Sequence, residues 1–358
     1  MNGIIVFNSN PCNIGDYIQS LAASKFFSEV DYYIDRENVS NFHGKEQTKV
    51  IMNAWWMWSK NWPPSIEITP LYQSFHINPT AAKWILNANG IQHLKKYSPI
   101  GCRDLETYNL LQEKGINSYF SGCLTLTLGK KGNYITAEKS NEIIICDPYY
   151  NINLKSLIWG RCNIISLIFL YIKKRTFFHK IRNSFGYKHK MFNIKNKILK
   201  KVSFNLQLAY FYRSYTTLFT KEFIEHAHYT SQWINNSNKT HQELLEEADI
   251  LVKRYAKAKL IITSRIHCAL PSIGCETPVI FVNSQELTSK DQTPVGGRLS
   301  GLSNFFHIIT YTSTNKLIYN EFHSKIDKIG ESFNLKNKDT YLEYRDKLIE
   351  ECTKFANS

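Results

Sequence analysis

The stretch "KLIITSRIHCALPSIGCETPVIFV" (Lys259–Val282) reads as strand, turn, helix and strand in one short run. "LIIT" (260–263) is a continuous apolar run of the kind that forms a strand buried on both faces. A turn and a helix follow to Cys275, and "TPVIFV" (277–282) is the next strand. Strands that alternate with helices build a parallel sheet covered on both sides. Two cationic side chains, Arg265 and His267, stand two residues apart at the mouth of the first strand.

The same alternation recurs outward from this stretch. "GIIVF" (3–7) reads as a buried strand, and "SNPCNIGDYIQSLAASKFF" as a turn entering an apolar-periodic helix. "KVIMNAWWMW" (49–58) reads as a second strand. "YSPIGCRDLETYNLLQEKGI" offers a short strand near Ile100, then a helix with Leu105, Leu110 and Leu111 on one side, ending at Gly115. "INSYFSGCLTLTL" adds a strand and loop. After the polar stretch "GKKGNYITAEKSN" (129–141), "EIIICDPYY" opens a new strand, which puts a domain boundary near residue 140. "HQELLEEADILVKRYAKA" (241–258) is a well-patterned helix, "GRLSGLSNFF" (297–306) a loop and short helix, and "HIITYT" (307–312) a last strand. "DTYLEYRDKLIEECTKFA" (339–356) closes the chain as a helix.

A chain of 358 residues suits two domains of about 150 residues each. The expected architecture is therefore α/β, with one parallel domain over 1–140, a second over 141–330 and a terminal helix within 331–358. A cleft between the two lobes follows from that arrangement.

Charge is spread unevenly. Of the formal +14, residues 151–225 carry 15 Lys and Arg against two acids, Glu222 and Glu225, so 15 − 2 gives +13 for that segment. Aromatic residues such as Trp159, Phe177, Phe178, Phe211 and Tyr212 are interleaved with these cations. Such a mixture suits nucleic acid, an anionic membrane surface, or simply a solvated basic helical hairpin. The most apolar run, "IISLIFLYI" (164–172), falls short of the ~20 residues a membrane-spanning helix needs.

Several function classes lose their support. The eight cysteines are scattered, with no C-x-x-C pair and no Cys/His cluster at zinc-ligand spacing, so they read as reduced thiols and no metal site is expected. No G-x-G-x-x-G follows a strand, and no P-loop or H-E-x-x-H pattern occurs. The opening "MNGIIVFNSNPCNIGDY" lacks a basic leader and a long apolar core, so a cytoplasmic protein is expected.

In parallel α/β sheets ligands bind beyond the carboxyl ends of the strands. Four polar loops fall there: "NPCNIGD" (10–16), "GCRD" (101–104), "FSGCLT" (120–125) and "SRIH" (264–267). Arg265 and Arg103 occupy comparable places in the two halves, and two guanidinium forks facing one cleft suit a ligand with two anionic groups. An unperturbed histidine titrates near neutrality, so the residue type of His267 fits a general acid or base. The plainer alternatives are a structural Arg103–Asp104 pair, a histidine satisfied by backbone groups, and an Asp16 that caps a helix. The cysteines beside these loops, Cys12, Cys102, Cys123 and Cys268, read as small packed thiols rather than nucleophiles.

Together, "NIGD", "GCRDLETYNLLQEKGINSYFSGCLTLTL" and "AKLIITSRIHCALPSIGCETPVIFV" resemble the polysaccharide pyruvyl transferase family. The resemblance implies two Rossmann-like domains in a GT-B-like arrangement with a C-terminal helix. It implies transfer of an enolpyruvyl-derived group from phosphoenolpyruvate, a co-substrate, to two hydroxyls of a sugar in a bacterial surface glycan such as a capsule or exopolysaccharide, with no cofactor or metal. The donor-binding R-x-H element and upstream arginine of that family fall on Arg265, His267 and Arg103. His267 is the catalytic acid candidate and Asp16 the base candidate, with Ile266, Gly15, Ser121 and Cys123 as further donor-side candidates. Asn53, His228 and Arg298 are the acceptor-side candidates. The acceptor is expected on a polyprenyl diphosphate carrier, with 151–225 resting on the inner face of the membrane. Residues 151–225 look like an insertion outside the resemblance. A GT-B glycosyltransferase using a nucleotide sugar, and a basic nucleic-acid-binding protein, are the competing readings, although nucleic acid is not the expected partner.

Overall fold

The computed structural model describes residues 1–8, 12–56, 60–148, 164–185, 197–234, 238–284, 299–311, 317–322 and 327–358. Its strands up to the middle of the chain are β1 (Asn2–Val6), β2 (Cys12–Asn13), β3 (Tyr32–Asp35), β4 (Thr48–Ile51), β5 (Trp55–Trp56), β6 (Ile68–Leu71), β7 (His76–Ile77), β8 (Ile100–Cys102) and β9 (Ser118–Phe120). The later strands are β10 (Ile143–Cys146), β11 (His228–Thr230), β12 (Trp233–Ile234), β13 (Leu260–Thr263), β14 (Val279–Ser284), β15 (His307–Tyr311) and β16 (Leu317–Asn320). The helices are α1 (Ile14–Ser24), α2 (Pro79–Ile85), α3 (Ala88–Lys96), α4 (Leu105–Gln112), α5 (Leu128–Lys131), α6 (Ile164–Lys173), α7 (Arg175–Ile181), α8 (Lys197–Tyr215), α9 (Lys221–His226), α10 (His241–Lys257), α11 (Ile266–Gly274) and α12 (Leu342–Asn357).

Two parallel sheets organise this mixed α/β chain. The first has the order β3-β1-β4-β6. The second runs β11-β10-β13-β14-β15-β16 and is parallel except at its last pair, where β16 is antiparallel to β15. Backbone bonds from Gly101 N to Tyr72 O (3.0 Å) and from Phe75 N to Gly101 O (2.9 Å) hold the short β8–β9 pair to the segment after β6.

The quoted stretch folds as read, with β13, α11 and β14 forming one right-sized crossover. "KVIMNAWWMW" does not fold as one strand. It breaks after Ile51 and resumes at Trp55–Trp56, and residues 57–58 lie outside those described. β6 was not anticipated because Pro70 reads as a breaker; at the edge of its sheet the missing N–H removes no ladder bond.

Side-chain alternation decides what covers the second sheet. Ile144, Cys146, Ile261 and Phe281 face a core shared with α1, α10 and α11 through Ile18, Ala22, Val252 and Cys268. Ile143, Ile145, Leu260, Ile262, Ile280 and Val282 point the other way, onto Leu167, Phe178, Leu208, Phe211 and Tyr215. Those last five belong to α6, α7 and α8. The described part of the basic segment is thus no solvated hairpin: it supplies the helical layer over the sheet's second face, and its aromatics there are largely core, while Trp159 lies outside the described residues.

The first core continues without a break from Ile4 and Ile5 of β1 to Ile144 of β10, because α1 lies against α10. Helix α12 returns to the N-terminal half. Tyr344 packs edge-on against Phe120 with ring centroids 5.1 Å apart, and Lys49 Nζ donates to Ala356 O at 3.3 Å.

Candidate active site

β10 and β13 run side by side in register, with Cys146 opposite Thr263, so they end together. Asp147 and Ser264 therefore emerge as neighbours, and Ser264 Oγ donates to Asp147 O at 2.6 Å. The next residue, Arg265, donates through Nε to Asp147 Oδ2 at 3.1 Å. That carboxylate is fully buried and also accepts from Gln232 N at 2.9 Å. The Arg265 guanidinium lies over the Trp233 ring, 5.3 Å from its centroid, which orients the fork further. The N-cap residue of α11, Arg265, makes no side-chain cap bond, and the positive end of the helix dipole falls at the same spot.

The start of α1 is tied to this half. β2 pairs antiparallel with β12, and Ile14 N donates to Gln232 O at 2.7 Å. Asn13, not Asp16, caps α1, accepting from Gly15 N at 3.1 Å. A Cβ on Gly15 would lie 2.8 Å from Gln232 Oε1 and 3.0 Å from the His267 Cβ. Glycine is what lets α1 start against α11. Asp16 follows in the first turn, half-buried, with Gln19 Nε2 3.4 Å from its Oδ1.

From the N-terminal half comes Arg103, immediately after β8. It is 1% exposed, and its Nε and Nη2 have no hydrogen-bond partner among the described residues. The structural Arg103–Asp104 pair exists only as a 3.6 Å contact. Asp104 is committed elsewhere: it caps α4 by accepting from Thr107 N at 2.9 Å and is hydrogen-bonded to His76 Nδ1. Burial alone would raise the Asp104 carboxyl, but His76 and then Arg103 hold it below its ordinary value of 3.8. The His76 ring in turn packs against Trp55 at 5.8 Å.

Asn13, Asp16, Trp55, Arg103, Gln232, Arg265, Ile266 and His267 line one cavity. Both halves of the chain contribute. The cavity gathers Asp16, Arg103, Arg265, Ile266 and His267 of the expected residues. Gly15 stands behind it. Ser121 is buried and donates to Cys102 O at 3.0 Å while accepting from Ser74 N at 3.1 Å, which holds the ends of β8 and β9. Cys123 is buried beside Thr125 Oγ1 at 3.2 Å. Asn53 is buried and donates to Gln19 O at 2.8 Å. His228 sits on the edge strand β11 with Glu142 at 3.4 Å, and Arg298 lies outside the described residues.

Four contributors were missed by sequence reasoning: Asn13, Trp55, Gln232 and Asp147. Asp147 follows β10 as Arg265 follows β13, so the same strand-end rule reaches it. Trp55 carries no such signal, being brought in by the pairing of β5 with β7.

Burial raises the thiols of Cys102 and Cys123 and takes Cys275 up to about 12, so these groups stay protonated and are poor nucleophiles. Among the described residues, no group of three or more His, Cys, Asp or Glu is placed to hold a metal ion, and no helix is long and apolar enough to cross a membrane. What the cavity offers is two guanidinium groups from opposite halves, a helix start and an imidazole. That set fits a small ligand carrying more than one negative charge.

A family model described as polysaccharide pyruvyl transferase matches residues 13–286. No curated protein matches the chain. Among solved structures, a functionally uncharacterized protein from Klebsiella pneumoniae subsp. pneumoniae is 10% identical, over 80% of this chain and 86% of that one, with a TM-score of 0.37. A likeness of that size decides nothing about this fold.

Proposed function

Because the chain belongs to the polysaccharide pyruvyl transferase family, we propose that it uses phosphoenolpyruvate as donor and forms a cyclic pyruvate ketal on two hydroxyls of one sugar, releasing phosphate. The observation that carries this reading is the buried Arg103 fork, whose Nε and Nη2 make no hydrogen bond among the described residues, facing the same cavity as Arg265. A buried guanidinium whose only counter-charge contact is the 3.6 Å one to Asp104 among the described residues is costly unless a ligand anion completes it. The carboxylate and phosphate of the donor supply two such anions.

His267 lines the cavity and delivers a proton to the methylene carbon of the donor, which makes C2 electrophilic. One sugar hydroxyl adds to C2, the C2–O bond to phosphate breaks, and the second hydroxyl closes the ketal. Two hydroxyl protons leave for one taken up at carbon, and the departing phosphate carries the difference. Asp16, on the cavity wall at the start of α1, is the base that receives a hydroxyl proton.

The two parallel sheets are read as Rossmann-like domains meeting in a GT-B-like manner, divided near residue 140, with α12 as the terminal helix. The acceptor is a sugar on a polyprenyl diphosphate carrier at the cytoplasmic membrane face, destined for a capsule or exopolysaccharide. The test is to incubate the enzyme with phosphoenolpyruvate and candidate lipid-linked glycans. Phosphate release together with a glycan heavier by pyruvate less water supports the reading. Sugar transfer from a nucleotide sugar, with no reaction of phosphoenolpyruvate, overturns it.

A further inference from the structure

We propose that α6 and the first turns of α8 form a docking face for an anionic phospholipid bilayer. On α6, Ile165, Ile168, Phe169 and Ile172 fall on one side at helical spacing and all are exposed, Phe169 by 68%. Only Leu167 of that helix is fully buried. Helix α8 packs beside it and adds Ile198, 73% exposed, and Val202 one turn on. Six large aliphatic or aromatic side chains are thus exposed on two helices that pack together, an apolar surface of the kind that marks an interaction site.

Charge identifies the occupant. Exposed Lys173 lies on α6, Lys197 and Lys201 on α8, and Arg175 and Lys180 on α7, which follows α6 directly, and no Asp or Glu occurs between residues 164 and 215. Of the two acids that follow in the chain, Glu222 and Glu225, the second is already engaged by Lys174 and Tyr212. An apolar strip among cations matches the acyl boundary and headgroups of an anionic leaflet. Two copies of this chain would bring like charges together. A nucleic acid needs stacking surfaces, yet Phe178, Phe185, Phe211 and Tyr215 are buried and the exposed strip is mainly aliphatic. The face lies on the side of the second sheet away from α11, so its role is separate from donor chemistry.

Sedimentation with vesicles of equal phosphatidylglycerol and phosphatidylcholine tests this without donor or sugar, so its outcome is independent of the transfer assay. The parent protein is expected to bind these vesicles, to release with salt, and to ignore pure phosphatidylcholine. Phe169→Ser with Ile172→Ser should weaken binding at least tenfold, and each of Lys173→Gln, Arg175→Gln, Lys197→Gln and Lys201→Gln about fivefold. These positions are exposed, so circular dichroism should show an intact fold. A Phe169→Trp variant should shift its emission to shorter wavelength on vesicle addition. Equal binding by parent and Phe169→Ser/Ile172→Ser overturns the proposal. So does a dimer that those substitutions dissolve, or RNA that binds the face in place of vesicles.

Discussion

Arg265 Nε and Asp147 Oδ2 lie 3.1 Å apart because β10 and β13, far apart in sequence, end in register. One edge of the Arg265 guanidinium is thereby anchored on a buried carboxylate, on the wall of the cavity that Arg265 lines. Arg265→Lys keeps the charge but not a planar fork that serves both. Donor KM is expected to rise about tenfold or more, measured by phosphate release against phosphoenolpyruvate concentration. Unchanged KM and kcat would take Arg265 out of the site.

Arg103 gives a sharper contrast, since two of its nitrogens have no hydrogen bond among the described residues. Arg103→Met keeps the buried stem and removes the charge. Donor affinity should fall by about 2–5 kcal/mol, while the thermal midpoint stays level or rises, because an incompletely paired buried charge is relieved. A large loss of stability with normal donor binding would make Arg103 a structural residue.

His267→Gln keeps a polar side chain but cannot donate a proton to carbon. Turnover should drop by roughly 10²–10⁴-fold with donor binding changed much less. Rapid-mixing assays with saturating donor would separate the two, and survival of kcat with a raised KM would assign His267 to binding.

Gly15→Ala tests the contact between α1 and α11. Its methyl would meet Gln232 Oε1 and the His267 Cβ, and Gln232 is held in turn by the His267 carbonyl at 2.9 Å. Urea unfolding should show a loss of about 1–3 kcal/mol, accompanied by lower turnover as the cavity wall shifts. Wild-type values for both would mean that the two helix starts have room to move.

The Asp104 carboxylate, facing His76, Arg103 and Thr107 N, sits below its ordinary value of 3.8. A carboxyl depressed in the folded state stabilises the protein above its unfolded-state value and loses that contribution as pH falls through the folded-state value. The stability difference between the parent protein and Asp104→Asn should therefore shrink as pH falls below about 4. Urea titrations across that range decide the matter; a difference that stays flat into strong acid sinks it.

The strand-turn-helix-strand reading of Lys259–Val282 needed only local information. A buried strand must be apolar throughout, and a ligand-facing residue must follow its carboxyl end, so Arg265, His267 and Arg103 were legible as candidates before any contact was known. The helices 241–258 and 339–356 were equally plain, because an amphipathic helix writes its period into the chain. Pairing is a different kind of fact. That Asp147 would stand beside Arg265, that Gln232 would bridge Ile14 and His267, and that Trp55 would reach the cavity depend on strand register between distant segments, which no local pattern encodes. The same holds for the basic segment. Its composition announced charge and aromatic content, but only tertiary packing could sort Phe178 and Phe211 into the core beneath the second sheet and leave Phe169 and Ile172 outside, since burial is settled by which surface a side chain meets and not by the side chain alone.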